Sequence, residues 1–437
     1  MQFERHAYRV GPHERWGLSE DELGETTLLR KQIEPWLSSV FQSEHLSLLL
    51  GSGFATAIAA LLDGPTADMG VTAWECECGE AIAAYAAASA AQCDRGTANV
   101  EDQLRSAMRL QEGLEVISDA RAGSIKGEID RQLRRLMSMV LTMERSIAEA
   151  EDENRELAEA LLVSFLLSFA SRTASRERLC LFTTNYDRLI EHGCDLAGLR
   201  PLDRFVGALA PAFRASRLNI DMHYNPPGIR GEPRYLEGVI KLCKLHGSVD
   251  WRWERGELRR CALPFGASDD HPAIPTTPYE SVVVYPSAAK DVETSDYPYA
   301  ELFRDFSSAI CRPNSALVTY GYGFGDDHVN RIIRDMLRIP STHLVIIAWD
   351  QTDPEDAQSE RNGSRLRITR FLRNVGRQPQ ISLLLGSHFG DLKTLTANYL
   401  PKPAIDPITI RRARLEEVRG EVAGGTDRGD AQHEQAN

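Results

Sequence analysis

Three short stretches hold residue types that do chemistry, each at the end of an apolar run. Leu46 to Leu50 passes straight into Gly51-Ser52-Gly53-Phe54. Glycines at such a turn let the backbone approach a pyrophosphate, and a helix that follows offers its unpaired N–H groups to the same anion. Any tight strand-to-helix turn also uses glycine, so alone this motif is weak. Phe182-Thr183-Thr184-Asn185-Tyr186-Asp187 delivers an Asn and an Asp two residues apart at the end of a β-branched run. Polar groups so placed hold a ribose hydroxyl and an amide; the competing structural reading is an Asx turn that closes the strand. Lys244-Leu245-His246-Gly247-Ser248 puts a His at a third such end. Imidazole, with its near-neutral pKa, serves as a general base. A lone His is more often structural, and it is the combination that carries weight.

The elements that must position these residues follow from hydrophobic pattern and punctuation. A helix is predicted around Asp21 to Val40 and another over Ala55 to Leu62. Residues 63–178 read mostly as helix: an alanine-rich run from Gly79 to Gln92, a cap at Asn99 to Asp102, and two long amphipathic helices over Ile125 to Ser171. Strands are predicted at Leu179 to Asn185 and Gly238 to Leu245. Residues 250–300, with Trp251, Trp253 and several prolines, read as loop-rich. A strand over Ala316 to Tyr320 enters Gly321-Tyr322-Gly323-Phe324-Gly325, then a helix from Asp326 to Leu337 with Asp326 and Asp327 at its positive end. His343 to Trp349 is a buried strand, Thr369 to Val375 a helix, and Ile381 to Leu385 a strand followed by Gly386-Ser387-His388 and a last helix, Leu392 to Leu400. Strands alternating with helices predict a doubly wound parallel sheet in an α/β fold. Ligands in such folds sit at the carboxyl ends of the strands, where the loops after Leu50, Thr184, Tyr320 and Leu385 gather. That arrangement points to a nucleotide-like ligand.

Composition removes several alternatives. The chain has 437 residues, 42% hydrophobic and 26% charged, which is ordinary globular usage. Its net charge of −13 repels phosphate backbones, so no direct nucleic-acid binding is expected. The uncharged stretch Ala160 to Ser171 is shorter than the ~18–20 residues of a membrane span. The start, MQFERHAYRVGPHERW, lacks the apolar core of a signal peptide. Both observations lead to an expected cytoplasmic location without membrane contact. The eight cysteines are scattered, and Cys76 and Cys78 have no second close pair to complete a zinc site, so no metal is expected.

The order Gly-Ser-Gly-Phe, Thr-Thr-Asn-Tyr-Asp, Leu-His-Gly-Ser and Gly-Tyr-Gly-Phe-Gly-Asp-Asp, spread over roughly residues 46 to 400, resembles the sirtuin-like family. It is most similar to the bacterial branch whose members hydrolyse NAD+ in antiphage defence. The resemblance implies a Rossmann-like NAD-binding catalytic domain over 45–400, with an inserted helical module at about 63–178 and a loop-rich insertion at about 250–300. An N-terminal arm (1–44) and a disordered tail (401–437) are expected outside it. It implies Asn185 and His246 as catalytic residues, the first at the nicotinamide ribose, the second deprotonating a ribose hydroxyl or activating the nucleophile. Asp187 would bind the carboxamide, and Gly51, Ser52, Gly53 and Phe54 would line the phosphate loop. Thr184 would contact the cofactor as well; Gly321, Tyr322 and Gly323 would serve the adenosine ribose, and Gly386, Ser387 and His388 would lie near the adenine.

Departures from the deacylating sirtuins decide the activity. The two Cys-x-x-Cys pairs are missing, as is the Gly-x-Pro-Asp-Phe-Arg loop, and the peptide-pairing segment reads Val282-Val283-Val284-Tyr285-Pro286-Ser287. With no peptide acceptor, water is the nucleophile, and the expected activity is that of an NAD+ glycohydrolase releasing nicotinamide and ADP-ribose. A deacylase or ADP-ribosyltransferase, or a non-catalytic NAD or ADP-ribose sensor, is the alternative. An NAD-consuming enzyme needs restraint, so a homo-oligomer is expected. The resemblance to stand-alone effectors implies a HerA-type hexameric ATPase acting in trans.

Overall fold

The computed structural model describes residues 6–66, 69–92, 97–172, 176–216, 221–224, 234–284, 297–349, 364–376 and 378–402. The chain begins with a hairpin, β1 (Ala7–Val10) and β2 (His13–Trp16), then α1 (Glu20–Gly24) and α2 (Thr26–Phe41). β3 (His45–Leu50) leads into α3 (Ser52–Ala60). Four helices follow before the next strand: α4 (Gly79–Gln92), α5 (Val100–Val116), α6 (Arg121–Ala148) and α7 (Asp152–Ala170). Then come β4 (Cys180–Thr183), α8 (Leu189–Ala197), β5 (Arg200–Leu202), β6 (Phe205–Val206), β7 (Ala212–Phe213), β8 (His223–Tyr224), β9 (Arg234–Tyr235), β10 (Val239–Lys244), β11 (Gly247–Glu254) and β12 (Glu257–Arg260). The last third holds α9 (Pro278–Ser281), β13 (Val282–Val284), α10 (Tyr299–Ile310), β14 (Ser315–Tyr320), α11 (Asp327–Met336), β15 (His343–Ala348), α12 (Ser364–Val375), β16 (Ile381–Leu385), α13 (Ser387–Gly390) and α14 (Leu392–Thr394).

The central sheet is nine-stranded, in the order β2-β1-β16-β15-β14-β3-β4-β10-β5. Every strand from β16 to β5 runs parallel to its neighbours, and β1 adds antiparallel to β16. Strands such as LSLLL and HLVIIA are apolar at nearly every position because both faces are covered. Leu48, Val318 and Tyr320 pack on one face with Phe54 of α3 and Phe165 of α7. Leu49 and Leu317 pack on the other with Phe306 of α10, Ile333 of α11 and Phe371 of α12. A third apolar cluster joins α5 and α6 to Tyr186 and Val249. The molecule is thus a mixed α/β structure built on a large, mostly parallel sheet. Among the described residues no helix is long and apolar enough to cross a membrane.

Several sequence expectations change in detail. Residues 1–44, expected as an arm, supply β1 and β2, which extend the sheet past β16. The helix expected over Asp21 to Val40 is broken near Glu25 into α1 and α2. The helix after the first glycine turn begins at Ser52, before Ala55. The region 250–300, expected as loops, contributes β11, β12 and β13 to a five-stranded sheet of order β13-β11-β12-β7-β6. The expected final helix is α14 followed by a π-type turn, Leu395–Tyr399. The tail beyond residue 402 lies outside the described residues, as does Tyr285-Pro286-Ser287.

Candidate active site

The strand order reverses between β3 and β14: the chain fills β4, β10 and β5 on one side and β15 and β16 on the other. Loops leaving such a switch point diverge and open a crevice at the carboxyl ends of the strands. The β3–α3 and β14–α11 turns cross there at very close range. A Cβ on Gly51 would stand 2.6 Å from Gly321 O, and one on Gly53 2.7 Å from Gly321 Cα. Gly321 has φ +62°, and its own Cβ would meet Phe54 N at 2.6 Å. Backbone bonds seal the crossing: Gly51 N–H donates to Tyr320 O (3.1 Å) and Gly53 N–H to Gly321 O (3.0 Å). The glycines are therefore required first by backbone-to-backbone contact.

Asn185 emerges beside this crossing. The Thr183 hydroxyl accepts from Asn185 N–H (3.0 Å) and donates to Leu50 O (3.0 Å), tying the ends of β3 and β4. Asn185 Nδ2 donates to Gly51 O at 3.1 Å. Asp187 Oδ1 accepts from Leu189 N–H (3.1 Å) in the turn that opens α8. Burial pushes the Asp187 carboxyl up to about 6, despite the nearby Lys244 ammonium that lowers it. Lys244 Nζ donates to the Asp187 carbonyl oxygen and pairs with Glu191 at 3.3 Å. The next turn is pinned to the same loop, since Leu245 N–H donates to Thr183 O (2.8 Å) and Val249 N–H to Tyr186 O (3.1 Å). That places His246 next to Tyr186, with ring centroids 6.3 Å apart. His246 Nε2 lies 2.8 Å from Asp326 Oδ2.

These loops surround one cleft of about 410 Å³. Its walls include Gly51 and Ser52, Thr184 to Asp187, His246, Tyr322 and Gly323. Asn185, Asp187 and His246 are each less than a tenth exposed. The helices between β3 and β4 close the far side. Asn99 and Glu101 at the start of α5, and Val140 and Met143 of α6, line it. Tyr186 Oη donates to Glu101 Oε1 at 2.6 Å, and the Arg188 guanidinium pairs with the buried Glu144 of α6 at 2.5 Å.

Of the residues singled out from sequence, Gly51, Ser52, Thr184, Asn185, Asp187, His246, Tyr322 and Gly323 line the cleft. Gly53, Phe54 and Gly321 do not; they form the wall behind it, with Phe54 fully buried against Phe165 and Tyr320. Gly386, Ser387 and His388 are not brought to it either. They follow β16, which β15 separates from β14, and His388 Nε2 meets Tyr399 Oη at 2.7 Å. Asp326 stands out in the sequence only as a helix-start acid in the Gly-Tyr-Gly-Phe-Gly-Asp-Asp run and Glu101 only as part of a helix cap, while Arg367, whose Nε donates to Gly323 O at 2.7 Å, carries no local signal. Only their tertiary placement brings them to the cleft. Among the described residues no cluster of His, Cys, Asp and Glu could hold a metal ion.

The comparison with protein families agrees with this geometry. Residues 179–369 match the SIR2-like domain. The matched span contains Asn185, Asp187, His246 and the Gly321–Gly325 loop, and leaves β3 with its glycine turn outside. The chain thus carries a SIR2-like domain, and domains of this kind are often NAD-dependent enzymes that use NAD+. No curated protein matches the chain.

Proposed function

We propose that this chain is an NAD+ glycohydrolase. The observation that carries the reading is the convergence, in one cleft, of Asn185, Asp187 and His246 with the Gly51–Ser52 turn. Cleaving the nicotinamide glycosidic bond builds positive charge on the ribose carbon while the pyridinium nitrogen becomes neutral. The leaving group is already good, so the site needs orientation and charge stabilisation more than an acid. Asn185 orients the ribose and water, Asp187 binds the carboxamide, and His246 receives the proton that water loses. Ser52, which opens α3 and lines the cleft, offers its backbone N–H and hydroxyl to the diphosphate.

Water as acceptor is favoured over an acyl-lysine peptide. Of the segment Val282 to Ser287 that would pair with a peptide, the described part, Val282 to Val284, is β13 and is already paired with β11. The same reading makes the protein an antiphage effector that depletes NAD+, located in the cytoplasm and held in check by self-assembly and a HerA-type ATPase partner.

The test is NAD+ consumption by the purified chain, alone and with such an ATPase, beside Asn185→Ala and His246→Ala. Equal amounts of nicotinamide and ADP-ribose, reduced at least a hundredfold in both variants, are expected; removing a catalytic group of this kind costs about 10²–10⁴. NAD+ binding without turnover in either condition would promote the sensor reading. Turnover that requires an acetylated peptide would promote the deacylase.

A further inference from the structure

His246 follows β10 and is nearly buried, with the Asp326 carboxylate 2.8 Å from its Nε2. A carboxylate only accepts hydrogen bonds, so in the neutral ring Nε2 carries the proton and the lone pair is on Nδ1. Asp326 is itself held from several directions. Its Oδ1 accepts from His328 N–H (3.0 Å) and Val329 N–H (3.4 Å), which makes it the N-cap of α11. The positive end of that helix favours the anionic carboxylate. Its carbonyl oxygen accepts from Tyr322 Oη at 3.2 Å, and Tyr322 Oη also lies 3.0 Å from Asn330 Oδ1. Asn330 Nδ2 donates to Phe324 O at 3.0 Å. The loop from Tyr322 to Asp326 is thus folded onto the helix it precedes, and one carboxylate oxygen is assigned to the helix while the other is turned to His246. Both side chains are about nine-tenths buried, where such a bond is strong and directional.

We propose that Asp326 is the positioning residue for His246, holding the imidazole in the Nε2–H tautomer so that Nδ1 takes the proton released in the reaction. This rests on the hydrolase reading. In that reaction the C1′–N bond breaks, and its electron pair goes to the ring nitrogen, leaving neutral nicotinamide. The oxygen of water bonds to C1′, and its proton passes to His246 Nδ1 and then to solvent. Asp326 stabilises the imidazolium formed on the way without taking the proton itself. The other ionisable groups at this place are Tyr186, whose ring is tilted beside the imidazole, Glu101, which accepts from the Tyr186 hydroxyl, and Tyr299, which with Glu101 and Asp326 raises the Tyr186 phenol further.

Asp326→Asn and Asp326→Ser test this, because both replacements remain good helix N-caps and so spare α11. The expected result is a fall in kcat of at least about tenfold, with KM within about twofold, an unchanged melting temperature and a shifted pH–rate profile, as for loss of a tautomer-setting acid. A second readout does not depend on turnover. In protein with ¹⁵N-labelled histidine, the resonance that His246→Gln removes should show a protonated Nε2 and a bare Nδ1, and that signature should be lost in Asp326→Ser. Wild-type kcat and pH profile in both variants, or an Nδ1-protonated His246 in the native protein, overturns the proposal. Absence of NAD+ hydrolysis in the wild type overturns the hydrolase reading instead, and the imidazole signature still decides whether Asp326 sets the tautomer.

Discussion

Asp187 shows how a cleft residue acquires its chemistry from its surroundings. Its carboxyl is pushed up to about 6 because burial disfavours the anion more than Lys244 favours it. On the proposed function, the ionised carboxylate accepts from the carboxamide of NAD+ and faces a cationic ring. Affinity for NAD+ is therefore expected to weaken as pH falls through about 6, when the carboxyl takes a proton. Asp187→Asn, which keeps the turn bond to Leu189 N–H, should bind more weakly at pH 7.5 and lose that inflection. Calorimetric titration with NAD+ between pH 5 and 7.5 measures both. An inflection that survives in the variant assigns it to another group.

At the scale of elements, the site depends on two turns that touch through their backbones. Gly321 combines φ +62° with a Cβ position only 2.6 Å from Phe54 N and 2.7 Å from Gly53 C. Gly321→Ala must therefore adopt a left-handed conformation and push β14 away from α3. A loss of about 2–4 kcal/mol is expected from strain and displaced packing together. Urea unfolding should show it as a lower midpoint with an unchanged slope. Gly256, with φ +77° in the β11–β12 hairpin and nothing within 4 Å, is the control: an alanine there meets only the backbone strain and should lose less.

Across the whole molecule, the sheet carries an acid-sensitive joint. His343 opens β15, with its Nε2 2.9 Å from Ser382 Oγ on β16. The same hydroxyl accepts from Trp36 Nε1 of α2 at 2.8 Å. Ser382 Oγ thus joins α2 to β15 through Trp36 and His343. Burial, and next the positive Arg9, lower the His343 value from 6.5 to about 4. The unfolded chain thus takes this proton first. The contribution is complete above pH 6.5 and is lost as pH falls toward 4, roughly 3 kcal/mol in all. His343→Gln should lose less stability over that window than the wild type, measured as the difference in unfolding free energy at pH 7 and pH 4.5.

Much of this protein was readable before its structure. Hydrophobic runs ending in Gly51, Thr184, His246 and Gly321 announced parallel strands with their working loops at one end, because apolar continuity and glycine punctuation are local properties of the chain. Asn185, Asp187 and His246 were identifiable for the same reason: each stands at a strand end, and strand ends in an α/β sheet converge. What sequence could not supply was neighbourhood. The strand order left Gly386 to His388 beyond β15, away from the cleft, although their loop looked like the others. It also joined Asp326 to His246 and Glu101 to Tyr186 across long stretches of chain. The first strands became part of the sheet because β16 offered them an unpaired edge. Local pattern encodes which way a residue faces within its own element; which elements meet is decided by packing, and only the folded chain contains those contacts.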